Sequence, residues 1–238
     1  MEKKLITKEQ HKFSRLEKVI GKDNLNRIKN KSVLILGCGG VGGYTCEALS
    51  RSGIGTLILV DFDKVDESNI NRQIIALEST IGKNKVDAFE ERIKDINKEC
   101  KVIKINKFID DKNINELFEY KIDFFVDACD SVPTKKAVIK ECLQRKIKFI
   151  SSMGTGNKLD PSKLEIVDIR KTVNDPLARI IRKFVKDERI NSKVLVLSSK
   201  EVPIKTGEST PGSTAFVPSS AGLLISSYIV NYFIKKQL

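Results

Sequence analysis

Five groups of residues in this 238-residue chain have the types and spacing for nucleotide chemistry. Gly37-Cys38-Gly39-Gly40-Val41-Gly42 sets glycines in a G-x-G-x-x-G arrangement between an apolar run and a helical segment. Glycine at these points permits a tight turn and close approach of a phosphate to backbone, and the helix start behind offers free N–H groups to an anion. Asp61, 24 residues beyond Gly37, ends the next apolar run, where a carboxylate can accept hydrogen bonds from ribose hydroxyls. Read alone, the glycines also fit a purely structural turn, and with Asp61 they fit NAD as well as ATP. The segments Asp61-Phe62-Asp63, Ser68-Asn69-Ile70-Asn71-Arg72-Gln73 and Gly82-Lys83-Asn84-Lys85 turn the reading toward ATP. A dinucleotide spreads its pyrophosphate over one helix start. A triphosphate carries about four negative charges and needs side-chain cations and a metal. Arg72 offers a planar fork and Lys85 a point charge. Asp127-Ala128-Cys129-Asp130-Ser131 supplies acids at the end of a further apolar run, and Asp130 could hold Mg²⁺ with phosphate oxygens completing its shell.

Scarcities narrow the chemistry further. The single histidine, His11, leaves no His-based zinc cluster and no central His triad. The five cysteines are odd in number, widely spaced and free of any C-x-x-C, which argues against a disulfide framework and fits a reducing compartment. Cys129 reads as a small buried residue beside the nucleotide rather than a nucleophile. The N-terminal MEKKLITKEQHKFSR lacks an apolar core of signal-peptide length. Lys plus Arg exceed Asp plus Glu by 43 − 31 = 12, and this excess favours an anionic partner, although a lysine-rich surface also serves solubility.

These residues need elements to position them. Thr7 and Gln10 fit a capping box for a helix reaching to about Gly21. SVLIL (32–36), TLILV (56–60), KVIKIN (101–106), DFFVDA (123–128) and KFISS (148–152) read as strands. Between them, 41–53, 84–97, 113–120 and 133–146 read as helices. Apolar runs without alternation suit a parallel sheet covered on both faces. The fold class expected is therefore α/β: a doubly wound, mostly parallel, Rossmann-like sheet, with a C-terminal α+β extension. Residues 1–30 would form a helical arm, 31–155 the nucleotide-binding region, and 156–238 a substrate-binding and dimerisation extension of the same domain. In that extension, 164–169 and 193–198 read as strands around a helix at about 175–188, and 199–218 as a loop. The uncharged segment 219–234 spans about 24 Å as a helix, short of a bilayer's hydrocarbon core of about 30 Å. It reads as a buried or dimer-interface helix, and membrane association is not expected.

The ordered set GCGGVGG, DFD, SNINRQ, GKNK and DACDS over residues 32–131 resembles the adenylating-enzyme superfamily of ThiF, MoeB, HesA and the ubiquitin-activating enzymes. Such enzymes attack the α-phosphate of ATP with a carboxylate, giving an acyl-adenylate and pyrophosphate. The resemblance implies ATP and Mg²⁺ as cofactors, held by Gly37, Gly39, Gly40, Gly42, Asp61, Asp63, Ser68, Asn69, Arg72, Lys85, Asp130 and Ser131, with Asp130 the metal ligand. It implies catalytic roles for Arg72, Lys85 and Asp130. It also implies one for Arg15, which in this superfamily corresponds to an arginine reaching the phosphates of a partner subunit, so a homodimer is expected.

The second half indicates which carboxylate is activated. Sulfur-carrier-activating members typically carry paired C-x-x-C zinc motifs, absent here. Phe13-Ser14-Arg15, Ser151-Ser152-Met153-Gly154, Asp160-Pro161, Asp175-Pro176-Leu177-Ala178 and Ala215-Phe216-Val217-Pro218 are similar to the branch that cyclises threonylcarbamoyladenosine in tRNA. The implied partner is tRNA carrying that nucleoside, and the implied location cytoplasmic. Activation of a carrier protein's C-terminal glycine is the alternative. Some members of the branch place a cysteine within the segment matching Val194–Ser198. None stands there in this chain, so a sulfur-relay partner is doubtful. Two lysine- and arginine-rich clusters fit RNA phosphates or plain solvation: Arg179, Arg182, Lys183 and Lys186, and Lys135, Lys136, Lys140, Arg145, Lys146 and Lys148.

Overall fold

The computed structural model describes residues 11–208 and 210–234. The Thr7–Gln10 capping box lies outside the described residues. Two short helices, α1 (Ser14–Ile20) and α2 (Lys22–Lys29), lead into β1 (Ser32–Leu36). Gly21, at φ 84°, ends α1 about where the sequence suggests a helix end, and a second helix, α2, then buries Leu25 and Ile28. The alternation follows: α3 (Gly40–Arg51), β2 (Thr56–Val60), α4 (Lys85–Ile96), β3 (Lys101–Ile105), β4 (Phe124–Asp127), α5 (Val132–Gln144) and β5 (Phe149–Ser152). The expected short helix at 113–120 is instead a 3₁₀ segment, Ile114–Glu119. Its buried pair, Ile114 and Leu117, is three residues apart, which the tighter helix also aligns. The chain continues through β6 (Leu164–Asp168), α6 (Pro176–Asp187), β7 (Leu195–Ser199) and α7 (Phe216–Ile234).

The seven strands form one sheet in the order β3-β2-β1-β4-β5-β7-β6. All neighbours pair in parallel except β6 and β7, which are antiparallel. The sheet is thus the doubly wound, mostly parallel α/β sheet the apolar runs imply. All five residues of β1 are buried because both faces are covered. Val33, Ile35, Leu57, Leu59 and Val126 face one core with α3, α4 and α7. Leu34, Leu36, Ile58, Val60 and Phe125 face the other with α5 and α6.

The last helix begins earlier than the sequence suggests, with Pro218 in its first turn. By length and apolarity it is long enough to cross a membrane, yet one face is buried within this fold. The contact is a backbone approach to α3. A Cβ at Gly222 would collide with the Val41 carbonyl and lie 2.8 Å from Tyr44 Cβ. Ser226 closes the seam by donating to the Thr45 carbonyl at 3.2 Å.

Candidate functional site: a nucleotide-binding mouth at the strand ends

Strand order reverses between β1 and β4, so the loops leaving their carboxyl ends diverge and open a crevice there. The glycine loop enters it from β1. Gly37 adopts φ 90°, and a Cβ on it would lie 2.8 Å from the Ala128 carbonyl oxygen of the β4 loop. A Cβ at Gly42 would collide with the Gly37 carbonyl, so only glycine lets α3 start this close behind the turn. Gly39 is the N-cap and Gly40 the first residue of α3, which presents their amides at the positive end of the helix.

The segment after β2 folds back over this loop. Gly40 lies against the Arg72 backbone and Pro218: a Cβ there would stand 3.5 Å from the Arg72 carbonyl and 3.1 Å from Pro218 Cβ. The Arg72 guanidinium donates to the Ser68 carbonyl at 2.8 Å and to Asn71 Oδ1 at 3.0 Å. Among the described residues it has no carboxylate partner, so its charge is left for an anion. Asn69 is buried and holds the turn by accepting from the Asp66 amide at 3.2 Å, while Ser68 is exposed at the rim.

Asp61 is buried at the end of β2. Its carboxylate accepts from the Cys38 amide at 2.6 Å and the Asp63 amide at 2.9 Å, which ties the glycine loop to this strand. Burial pushes its pKa up from the usual carboxylate range, against the opposing pull of Lys85 and the two amides. Lys85, at the start of α4, is 5% exposed, and its ammonium donates to Asp63 at 2.7 Å. Lys85 is therefore buried against Asp63, and its charge also acts on Asp61.

The DACDS segment divides its acids. Asp130 is exposed on the loop after β4, and Ser131 caps α5 by accepting from the Thr134 amide at 3.4 Å. Asp127, expected at the mouth, is instead fully buried. Its carboxylate pairs with the equally buried Lys135 at 3.1 Å and accepts from Ser151 Oγ at 2.5 Å. Lys135 also donates to the Ser152 carbonyl at 2.8 Å, which joins the ends of β4 and β5. Lys135 thus leaves the basic surface cluster the sequence suggests. Burial, then the nearby Asp127 charge, pushes the Cys129 thiol well up, so it stays protonated and unsuited to nucleophilic attack.

Sequence reasoning passed over Gln73. It is buried, its Oε1 has no hydrogen-bond partner, and its amide nitrogen would stand 3.7 Å from a Cβ at Gly39. A buried acceptor without a partner beside the glycine loop is a ligand-facing feature, and its place in SNINRQ is the signal that could have found it. Arg15 is not brought to this chain's own mouth. It is exposed on α1, next to Phe13, which packs on Gly53 beyond the far end of α3. Among the described residues no cluster of three or more His, Cys, Asp or Glu could hold a metal by itself.

The fold and this mouth define a nucleotide-binding α/β protein whose glycine loop meets an unpaired arginine and an exposed acid. The ThiF family model matches residues 13–171, and the chain belongs to the ThiF family. A *Bacillus subtilis* tRNA threonylcarbamoyladenosine dehydratase is 43% identical over 242 residues, covering 94% of this chain and 95% of the relative. The crystal structure of the *Escherichia coli* dehydratase TcdA in complex with ATP superposes with a TM-score of 0.88 at 31% identity, covering 94% of this chain and 93% of the other. An *E. coli* molybdopterin-synthase adenylyltransferase is 30% identical over 129 residues, covering only 54% of this chain and 51% of the relative.

Proposed function

We propose that this chain is an ATP-dependent dehydratase that adenylates the carboxylate of threonylcarbamoyladenosine in tRNA and cyclises it, releasing AMP and pyrophosphate. The observation that carries this reading is the length of the likeness. The chain matches the dehydratase over 94% of its residues, β6, α6, β7 and α7 included, whereas likeness to the carrier-activating adenylyltransferase covers about half of it.

The residues divide the work as follows. The amides of Gly39 and Gly40 and the start of α3 receive phosphate oxygens. Asp61 accepts from the ribose hydroxyls while its amide contacts hold the loop in place. A threonyl carboxylate oxygen attacks the α-phosphorus, a P–O bond forms, and the bond to the leaving pyrophosphate breaks. Arg72 offsets charge growing on the phosphates, and Lys85, steadied by Asp63, adds a second positive charge beside them. The carbamoyl group of the same side chain then attacks the activated carbonyl, a five-membered ring closes, and AMP leaves with the oxygen it gained. Both reacting groups sit on one substrate, so orientation supplies much of the rate and no enzyme thiol is needed. That agrees with a Cys129 held as a thiol.

Mg²⁺ fits the donor set: Asp130 is an exposed carboxylate on the loop abutting Gly37, and magnesium on a nucleotide takes one or two carboxylates with phosphate oxygens and water as the rest. When bound, the ion supplies charge neutralisation at the phosphates. Arg15, remote from its own chain's mouth, would serve the phosphates of a second copy, so the active form is a homodimer. A tRNA substrate places the work in the cytoplasm.

Incubation with ATP, Mg²⁺ and tRNA bearing threonylcarbamoyladenosine, followed by digestion and nucleoside mass spectrometry, tests the proposal. Loss of one water from that nucleoside is the expected result. An unchanged nucleoside, with pyrophosphate exchange stimulated instead by a small carrier protein ending in Gly-Gly, would overturn it.

A further inference from the structure

Of the two basic clusters in the sequence, one has three of its six charges paired within the fold, whereas the other has no ion pair among the described residues. In the α5 cluster, Lys135 is buried on Asp127, Lys140 pairs with Glu188 at 2.9 Å, and Arg145 pairs with Glu141 at 2.9 Å. Lys146 and Lys148 precede β5 and so lie at the amino edge of the sheet, away from the mouth. On α6 the situation is reversed. Arg179, Lys183 and Lys186 are exposed, and so is Arg189 just beyond it. None of these four has an ion-pair partner among the described residues. The opposite face of α6 buries Ala178, Ile181, Phe184 and Val185, so the helix cannot roll its charges elsewhere.

The stripe also has direction. The N-cap of α6, Asp175, is buried and pairs with the buried Lys158 at 3.1 Å, and Lys158 also donates to the Gly154 carbonyl just after β5. This pins the first turn of α6 to the carboxyl edge of the sheet, the edge that carries the nucleotide mouth. From there 12 residues carry the basic face about 18 Å down the flank. Arg170, held by Asp168 at 2.9 Å, walls the lower end of a groove of about 800 Å³ along this face.

We propose that this groove is where the body of the tRNA lies, with successive phosphates of one backbone strand on Arg179, Lys183 and Lys186 and the modified adenosine led into the mouth. The inference rests on the tRNA reading above and adds the surface that holds the substrate. Open cations at one-turn intervals, ending at the reaction mouth, match a polyanion whose reactive nucleoside must reach that mouth.

The test compares the wild type with Arg179→Glu/Lys183→Glu/Lys186→Glu and with a control, Lys146→Glu/Lys148→Glu. Fluorescence anisotropy gives affinity for a tRNA transcript over a range of NaCl concentrations, and dehydration assays give KM and kcat for the modified tRNA. The triple variant is expected to raise KM for tRNA at least tenfold, leave kcat and ATP binding within about twofold, and flatten the slope of log affinity against log salt by about 2, as for loss of two to three phosphate contacts. The control is expected to match the wild type. An unaltered slope and KM in the triple variant, or an equal loss in the control, would overturn the inference. If reversal unfolds the protein, Arg179→Gln/Lys183→Gln/Lys186→Gln carries the same expectation with the same sign. Anisotropy uses unmodified RNA, so a wild type that binds through this face yet dehydrates nothing would sink the functional reading and leave the groove standing.

Discussion

In the proposed mechanism, Arg72 is the residue on which adenylation turns. Its guanidinium is oriented by two short-range acceptors, and no carboxylate among the described residues neutralises it. Preorganised charge aimed at a developing anion costs no reorganisation during the reaction, and losing one such donor typically costs about 3–4 kcal/mol. Arg72→Ala should therefore lower the rate of pyrophosphate release by about 10²–10³-fold with the fold intact, as read by thermal melting. A normal rate would remove Arg72 from its assigned role. The glycines of the loop were legible because only that residue type permits the turn at Gly37 and the close start of α3 behind it. Asp127 and Lys135 were not. Their pairing arises from the packing of α5 against the ends of β4 and β5, and nothing in a lysine-rich helix marks which lysine turns inward.

At the scale of elements, the central strands β1, β2, β4 and β5 were readable because burial on both faces demands continuous apolar runs. The 3₁₀ segment at Ile114–Glu119 was not, because one pair of buried residues three apart fits two kinds of helix. Helices α3 and α4 are joined by an ion pair that the apolar pattern does not reveal. Glu47 on α3, largely buried, accepts from Arg92 on α4 at 2.7 Å and from Arg51 at 2.7 Å. Burial alone would raise its pKa, but the hydrogen bonds and charges of both arginines outweigh it and hold the carboxyl below its ordinary value of 4.5. A depressed folded-state pKa means the stabilisation is present above the unfolded value and fades as pH falls through the folded one. Glu47→Gln should thus cost about 1–3 kcal/mol at pH 7, the scale of hydrogen bonds to charged groups. The deficit should shrink below about pH 4.5, as followed by urea denaturation across pH. A deficit that is the same at pH 7 and pH 3 would show that the arginine pairing contributes nothing.

At the scale of the whole molecule, β6 and β7 extend the sheet that carries the glycine loop, so the C-terminal extension is built onto the same core. Arg15 lies beyond the far end of α3 from the mouth, and this separation is why its proposed work is in trans. Mixing Arg15→Ala and Asp130→Ala chains, each expected to be nearly inactive alone, should restore up to about a quarter of the wild-type activity per chain. Half the dimers formed would be hybrids, and each hybrid would keep one site with both groups intact. No recovery despite confirmed hybrid dimers would place Arg15 outside the chemistry.

Oxygen transfer tests the central claim most directly. The threonyl carboxylate of the modified tRNA is labelled with oxygen-18, one turnover is run in unlabelled water, and the nucleotide product is weighed. If that carboxylate displaces pyrophosphate from the α-phosphorus before ring closure, AMP emerges carrying one labelled oxygen beside a cyclised nucleoside. Cyclised nucleoside formed together with ADP and labelled inorganic phosphate, or with AMP free of label, would contradict the account.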